Sequence, residues 1–442
     1  MAYGRSSLLA RLKTVTLGCK VNQYETAWLR EGLMSIGYRD AAEGENPDLC
    51  LVNTCTVTGE GDAKSRQTIR RLHRDHPQAS IVVLGCYAAR DAEQVAALPG
   101  VTEVVRDRRE LPDLLGRFGV IDLPQGVTGS DDRTRAWVKV QDGCLLRCRY
   151  CIIPIVRPGM SSRPIDAIVD EVRRLVERGH REVVLTGIHL GHYGVDFNRG
   201  KPKSEWTRLS HLLERLAALD GDFRLRLSSI EATEATRELL DVMRSLPHRI
   251  VPHLHPCLQS GSESVLRRMR RRWGAKRFLD RCAEIRQRLD RPALTTDVIV
   301  GFPGETEAEF SETLAACREA GFSKIHRFPF GPRPGTPAFD DPGRVAGEVV
   351  AERMERLGAL ESELQHAYAR SLVGATLEVL VERHPELPPS ERQGTSCRYL
   401  PVRFPVESSS EAERGSLVPV TIERVERTAA GTLLIGRRIA TK

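Results

Sequence analysis

Six short apolar runs alternate with helical patterns through the middle of the chain, and this alternation constrains the fold most. The runs predict strands at Arg135–Gln141, Glu182–Thr186, Arg224–Ser228, Pro252–Leu258, Thr295–Val300 and Lys324–Phe330. The segments between them predict helices at Ile165–Arg178, Leu209–Leu219, Thr233–Arg244, Lys276–Leu289 and Glu305–Ala320. Strand–helix units in series indicate a parallel sheet, and six strands are too few to close an eight-stranded barrel. We therefore expect an open three-quarter (β/α)6 barrel whose active site lies at the carboxyl ends of its strands.

Three cysteines form a compact motif directly after the first of these strands. Cys144, Cys148 and Cys151 lie in the sequence Asp-Gly-Cys-Leu-Leu-Arg-Cys-Arg-Tyr-Cys-Ile, which begins at Asp142. With this spacing, one loop can bind three irons of a cubane iron–sulfur cluster and leave the fourth iron open to a substrate. A structural zinc site is the alternative, but it requires a further Cys or His pair nearby, and none follows at that spacing. The motif therefore favours a cluster with one open iron.

Three further cysteines each follow an apolar run in the N-terminal part of the chain. Cys19, Cys55 and Cys86 are separated by 35 and 30 residues, which is about the length of a βαβ unit. The first intervening segment predicts a helix from Glu25 to Ile36, with Asn22 as a possible N-cap. Parallel strands bring their carboxyl ends to one edge of a sheet, so the three thiols should converge there. Three unrelated buried thiols are the alternative, but the repeated context favours a second cluster with an open iron.

Composition and charge set looser bounds. A chain of 442 residues with a net charge of +7 should hold two or three domains and suits a polyanionic partner. Its 11 cysteines, an odd number with no signal peptide, argue against a disulfide framework and for a reducing compartment. No stretch is long enough to span a membrane. We therefore expect a cytoplasmic protein.

The pattern changes after a charged helix predicted from Val349 to Tyr368. Period-two strands, typical of a small antiparallel barrel, are predicted at Ala375–Glu382, Tyr399–Pro405, Val418–Val425 and Thr432–Arg438. Such modules often bind RNA through a basic surface, here from Arg398, Arg403, Arg424 and Arg427. A packing or dimerisation barrel is the alternative. The Arg-rich run that ends at Trp273 is a second candidate RNA surface, unless it is only a solvated helix face.

The order of these regions and several motifs resemble the radical SAM (S-adenosylmethionine) methylthiotransferases, which insert a methylthio group into tRNA or a ribosomal protein. The motifs are Thr16–Glu25, Asn53–Thr58, Leu185–Gly191 and Thr295–Thr306. After Gly-Cys this chain carries Lys20-Val21-Asn22, which resembles the sequence of the branch that acts on N6-threonylcarbamoyladenosine beside the anticodon. The sister branches usually carry Gln-Met-Asn or Pro-Lys-Asn at this place. The resemblance implies a Rossmann-like α/β domain over residues 1–125, a radical SAM partial barrel over 130–369 and a TRAM-type RNA-binding β-barrel over 370–442.

The resemblance also implies the cofactors and partners. Two [4Fe–4S] clusters would be held by Cys19, Cys55, Cys86, Cys144, Cys148 and Cys151. SAM would contact Tyr150, Thr186, Gly187, Ser228, Gln259 and Val300. The substrate would be tRNA, and a flavodoxin or ferredoxin would donate the electron. Adenine C2 carries an unactivated hydrogen that no side-chain acid or base removes at a useful rate, which is why a radical cofactor is required.

The threonylcarbamoyl group carries a carboxylate, so a pocket that selects it should offer a cation. The candidates near strand ends are Arg157, Arg163 and His189. Two alternatives stay open: a methylthiotransferase for isopentenyl-adenosine tRNA or for a ribosomal protein, and a non-catalytic iron–sulfur sensor that binds RNA.

Overall fold

The computed structural model describes residues 10–129, 134–407, 412–429 and 431–439. The first nine residues, on which the predicted lack of a signal peptide partly rests, lie outside this range. Among the described residues, no helix combines the length and the apolar character needed to cross a membrane.

The chain divides into two compact units. The first consists of Met1–Thr128, Asp142–Ser161 and Gly331–Phe339, and the second consists of Gly129–Gln141, Ser162–Phe330 and Asp340–Lys442. The loop that carries Cys144, Cys148 and Cys151, called the Cys144 loop below, therefore belongs to the same unit as Cys19, Cys55 and Cys86. The domain boundaries predicted from the sequence, at residues 125, 130 and 370, do not coincide with the borders of these two units. They remain predictions.

The first unit is built on a five-stranded parallel sheet. Its strands, in the spatial order β2-β1-β3-β4-β5, are β1 (Arg11–Thr16), β2 (Arg39–Asp40), β3 (Leu49–Thr54), β4 (Ser80–Gly85) and β5 (Val101–Val104). Its helices are α1 (Lys20–Ser35), α2 (Gly59–Asp75), α3 (Cys86–Arg90), α4 (Ala92–Ala96), α5 (Leu111–Phe118) and α6 (Ile153–Val156). Leu49 and Leu51 pack in one apolar cluster and Cys50 and Val52 in another. Since side chains alternate along a strand, each face of the sheet carries its own core.

Helix α1 differs from its prediction. It begins at Lys20, and its N-cap is Cys19 rather than Asn22. Asn22 is buried inside the first turn, where its side-chain nitrogen donates to the carbonyl oxygens of Leu17 and Thr54, each at 3.0 Å. The predicted end at Ile36 agrees with the observed C-cap, and Gly37 follows it with a φ of 96°, a left-handed conformation that glycine adopts at low cost.

The second unit contains the predicted strand–helix series. Its strands are β6 (Arg135–Asp142), β7 (Ser161–Ser162), β8 (Glu182–Gly187), β9 (Arg224–Leu227), β10 (Ser229–Ile230), β11 (His253–Pro256), β12 (Ala293–Val300) and β13 (Lys324–Pro329). The parallel neighbours are β6-β8-β9 and β10-β11-β12-β13, and Leu225 joins the two groups by main-chain hydrogen bonds with Arg249 and Val251. All six predicted strands are thus confirmed, in sequential order. The helices of this unit are α7 (Ile165–Glu177), α8 (Leu209–Ala217), α9 (Arg237–Ser245), α10 (Glu263–Arg268), α11 (Ala275–Arg288), α12 (Glu307–Ala320) and α13 (Gly347–Arg370).

The C-terminal part of the second unit is a closed five-stranded barrel, called the β-module below. Its strands, in the order β14-β15-β16-β18-β17, are β14 (Thr376–Val381), β15 (Glu391–Ser396), β16 (Pro401–Pro405), β17 (Leu417–Thr428) and β18 (Gly431–Arg438). Four of these strands were predicted, and β15 was not. The barrel is antiparallel except that β16 and β18 pair in parallel.

Two buried arginines attach the β-module to the strand–helix series. Arg224 and Arg226 lie on β9, and each binds the fully buried carboxylate of Glu182 on β8. The Arg224 guanidinium also donates to the carbonyl oxygens of Glu378 at 2.8 Å and Thr395 at 3.0 Å. Arg226 donates to the carbonyl oxygen of Ser396 at 3.1 Å. Main-chain oxygens therefore bind the β-module to β9, and the carboxylates of Glu378 and Glu382 add ion pairs with Arg224 at 3.2 Å and Arg135 at 2.9 Å.

Candidate metal centres

Cys19, Cys55 and Cys86 converge at the carboxyl edge of the first sheet. Cys55 directly follows β3 and Cys86 directly follows β4, while Cys19 stands three residues after β1. A β-carbon at Gly18 would lie 2.9 Å from the β-carbon and 3.1 Å from the sulfur of Cys55. The convergence expected from the sequence is therefore present in the structure.

Glycine precedes two of these cysteines because the backbone requires it there. Gly18 has a φ of 97° and Gly85 a φ of 95°, and side chains strain such left-handed conformations. A β-carbon at Gly85 would also lie 2.4 Å from the carbonyl oxygen of Thr54. Any larger residue at either position would push the neighbouring cysteine loops apart.

Burial changes the acidity of two of these thiols. Burial raises the pKa of the Cys55 thiol and raises that of Cys86 to about 11, while the Arg157 guanidinium opposes the shift at Cys86 and the sulfurs of Cys19 and Cys55 add to it. A metal binds thiolates, so metal binding would displace the protons that burial favours on these thiols. Three converging sulfurs are the donor set that iron–sulfur clusters take.

The Cys144 loop is tightly turned. Cys144 Sγ accepts a hydrogen bond from the Leu146 amide at 3.4 Å, and the Cys151 amide donates to the carbonyl oxygen of Cys148 at 3.1 Å. Gly143 has a φ of 74°, and a β-carbon there would lie 1.7 Å from the carbonyl oxygen of Gly159. The loop can close in this way only because residue 143 is glycine.

The segment Gly331–Phe339, which the sequence reasoning passed over, also belongs to the first unit. Arg333 binds Asp62 and donates to the Thr56 hydroxyl at 2.9 Å, next to Cys55 in sequence. The Ala338 amide donates to the carbonyl oxygen of Arg149 in the Cys144 loop, and the Arg149 guanidinium donates to the carbonyl oxygen of Pro337. In the sequence, the one feature that could have drawn attention to this segment is the run Arg-Pro-Gly-Thr-Pro after the last predicted strand.

Five of the six predicted SAM contacts lie at strand ends of the second unit. Thr186 and Gly187 close β8, Ser228 follows β9, Gln259 follows β11, and Val300 closes β12. Gln259 has a φ of 69° and bridges to β12 through its main chain. The Ser228 hydroxyl is buried and lacks a hydrogen-bond partner in the described part of the chain, so it can bind a ligand. The sixth residue, Tyr150, is half-buried in the first unit.

The three predicted cations for a substrate carboxylate are already paired with protein carboxylates. Arg157 is 2% exposed and binds Glu25 and Asp142. Arg163 binds Glu171 at 2.6 Å, and the imidazole of His189 lies 2.6 Å from the Glu234 carboxylate. The structure gives no support to these three assignments.

Two residues predicted to face RNA are instead buried. Arg398 donates to the carbonyl oxygens of Asp290 and Arg291. Trp273 packs beneath the Arg271 guanidinium, which lies 4.6 Å from its ring centre. The sequence predictions for Arg398 and Trp273 were therefore wrong. Arg424 and Arg427 are exposed on β17, and Arg403 is half-buried.

Two family models match the chain. A model described as the radical SAM superfamily matches residues 138–317, and one described as uncharacterized protein family UPF0004 matches residues 11–106. The first covers the Cys144 loop and most of the strand–helix series, and the second covers Cys19, Cys55 and Cys86.

Several known proteins are similar to most of the chain. A Bacillus subtilis protein named threonylcarbamoyladenosine tRNA methylthiotransferase MtaB is 38% identical, and the match covers 92% of each chain. A Corynebacterium diphtheriae protein named tRNA-2-methylthio-N(6)-dimethylallyladenosine synthase is 36% identical, over 83% of this chain and 75% of that protein. Among solved structures, the radical SAM methyltransferase TsrM from Kitasatospora setae matches with a TM-score of 0.51 at 14% identity, covering 74% of this chain and 75% of that one. The last likeness concerns the fold alone and confirms its class.

Proposed function

Because this chain belongs to the radical SAM tRNA methylthiotransferase family, we propose that it transfers a methylthio group to C2 of N6-threonylcarbamoyladenosine beside the anticodon. The observation that carries this choice is the match over 92% of both chains to a relative named for that nucleoside. The relative named for dimethylallyladenosine matches over only 75% of its own length. The marker Lys20-Val21-Asn22 supports the same branch.

An enzyme of this family uses SAM and two [4Fe–4S] clusters. We assign one cluster to Cys19, Cys55 and Cys86, which follow strands at one edge of the first sheet. We assign the other to Cys144, Cys148 and Cys151, which lie in one loop of the first unit. When bound, these groups supply the one-electron chemistry that removes hydrogen from an unactivated carbon.

The protein's own residues would bind and orient SAM. We assign SAM to the strand ends at Thr186, Gly187, Ser228, Gln259 and Val300. The buried hydroxyl of Ser228 can donate to a polar group of the cofactor, because a buried polar group without a partner carries a desolvation cost that a ligand would remove. Thr186 and Val300 are buried, so these two residues are shielded from water.

Lys20 offers the cation that Arg157, Arg163 and His189 do not. It is half-buried and directly follows the proposed cluster ligand Cys19 at the start of α1. Within the described residues, Lys20 is not ion-paired with any carboxylate. An apolar isopentenyl group would leave this cation without a partner, which disfavours that substrate.

Two partners complete the proposal. The β-module exposes Arg424 and Arg427 and would bind tRNA phosphates through them. A flavodoxin or ferredoxin would donate the electron in the cytoplasm. Consumption of SAM by the purified enzyme separates this proposal from a non-catalytic RNA-binding sensor, which would bind iron without consuming SAM.

Mass spectrometry of tRNA nucleosides tests the substrate. Deleting the gene should abolish 2-methylthio-N6-threonylcarbamoyladenosine and leave 2-methylthio-N6-isopentenyladenosine, where the cell makes it, unchanged. Complementation with the wild-type gene should restore the lost nucleoside. Loss of the isopentenyl product alone would keep the reaction type and overturn the proposed substrate.

A further inference from the structure

Arg157 is a buried side chain that uses its whole guanidinium near the two cysteine sets. Its Nη1 donates to Glu25 at 2.8 Å and to both Asp142 oxygens at 3.1 Å. Its Nη2 donates to Glu25 and to the Asn22 side-chain oxygen, each at 2.8 Å. Its Nε points at Cys86 Sγ at 3.4 Å. All three nitrogens of the guanidinium are thus used, and one of them is directed at a proposed cluster ligand.

The partners of Arg157 connect it to both cysteine sets. Glu25 and Asn22 belong to α1, whose N-cap is Cys19. Asp142 accepts a hydrogen bond from the Gly143 amide at 2.7 Å, and Cys144 is the next residue. A single side chain therefore holds Cys86 directly, Cys19 through a helix and Cys144 through the turn that precedes it.

The charges show why an arginine is required. Glu25 and Asp142 are both buried, and Asp142 also pairs with Arg108 at 2.8 Å. Arg157 and Arg108 both pair with these carboxylates, and the contact of Arg157 to sulfur is a further hydrogen bond. Lysine carries the same charge but cannot present several donors in a planar fork.

We propose that Arg157 is a positioning residue that orients Cys86 and, through its Nε–H donor, stabilises the reduced form of the cluster held by Cys19, Cys55 and Cys86. Hydrogen bonds to cluster sulfurs are among the features that set reduction potentials, and partners of metal ligands fix their orientation. Reduction of the bound cluster would take one electron from an external reductant, with no proton transfer to or from Arg157. This inference rests on the cluster assignment made above.

The experiment isolates that cluster. In a parent protein with Cys144, Cys148 and Cys151 replaced by alanine, dithionite titration followed by electron paramagnetic resonance reports one cluster only. R157K should lower the equilibrium constant for one-electron reduction at least tenfold, which is about 59 mV. The control is R353K, because Arg353 is also buried and pairs with the buried Glu305 at 3.0 Å. It should leave the potential unchanged.

A second measurement requires no iron. In the apoprotein, iodoacetamide should alkylate Cys86 at least tenfold faster in R157K than in the parent, while buried Cys50 keeps its rate. Selective reactivity of Cys86 supports the proposal even where R157K binds no iron. Equal exposure of Cys50 and Cys86 would indicate unfolding and overturn it, as would a reduction constant within twofold of the parent value. A parent that binds no iron would instead refute the cluster assignment.

Discussion

The carboxylate of Glu182 should make an unusually large contribution to stability. It is fully buried, and it binds the guanidinium groups of Arg224 at 2.6 Å, Arg226 at 2.9 Å and Arg135 at 2.9 Å. Replacing it by glutamine, in E182Q, leaves these cations without their common counter-charge. Breaking a buried ion pair on one side typically costs about 3–5 kcal/mol.

The size of this effect can be measured by thermal unfolding of the apoprotein. A loss of about 3–5 kcal/mol corresponds to a fall in Tm of roughly 6–10 °C in a unit of this size. The matched control is D280N, which removes a carboxylate from an exposed helical pair with Lys276 and should cost at most about 0.5 kcal/mol.

The pH dependence gives a second test of the same residue. Burial alone would raise the pKa of the Glu182 carboxyl, but the charges of Arg226, Arg224 and Arg135 outweigh burial and hold it well below its usual range. Because the folded pKa is the lower one, this stabilisation is complete above the unfolded pKa, about 4.3, and is lost as the pH falls below it. E182Q should therefore lose part of the acid sensitivity. Equal stability of E182Q and D280N at neutral pH would show that the Glu182 carboxylate does not stabilise the fold as proposed.

Three further predictions concern function. Replacing either cysteine set by alanine should reduce iron from about eight to about four atoms per chain after anaerobic reconstitution, and only loss of Cys144, Cys148 and Cys151 should abolish SAM cleavage; four irons in the unmodified protein would remove the second cluster. K20Q should lower kcat/KM for threonylcarbamoyladenosine tRNA about tenfold in a single-substrate assay. An unchanged kcat/KM would exclude Lys20 as the cation that binds the threonylcarbamoyl carboxylate. The double variant R424E/R427E should weaken tRNA binding about tenfold and reduce its salt dependence in a filter-binding assay, whereas undiminished affinity would assign the β-module to packing.

Deleting the β-module would be a poor version of the last experiment. Removal of residues 373–442 would take away the carbonyl oxygens that bind Arg224 and Arg226 and would leave two buried guanidiniums short of partners. A loss of tRNA binding in such a truncation would then report instability as much as a lost RNA surface. Point variants of exposed arginines avoid this ambiguity.

Local patterns predicted the parts of the fold that depend on local physics. The apolar runs located all six strands of the series, and the cysteines that follow strands located an edge where thiols converge. Strand β15 was missed because its sequence, Glu-Arg-Gln-Gly-Thr-Ser, has no apolar alternation. It is held by main-chain pairing with its neighbours, and Gly394 passes so close to β14 that a β-carbon would lie 2.0 Å from the carbonyl oxygen of Leu380. No propensity scale records such an approach.

The arginines were the least predictable residues. Arg157 pairs with Glu25, 132 positions away in the sequence, and Arg398 binds main-chain oxygens about 107 positions away. An arginine that contacts RNA and one that is buried against a distant carboxylate look alike in a single sequence. Their roles follow from which segments the fold brings together.

The attachment of the β-module has a consequence for how such proteins can diverge. Arg224 and Arg226 bind main-chain oxygens of Glu378, Thr395 and Ser396, which every residue type provides. The side chains of Thr395 and Ser396 can therefore differ between relatives without removing these main-chain bonds, whereas Glu378 also pairs with Arg224 through its carboxylate. A one-residue insertion or deletion within either strand would shift the register and turn those oxygens away. Chimeras between relatives should accordingly tolerate low sequence identity in the β-module but not a change in the length of these two strands.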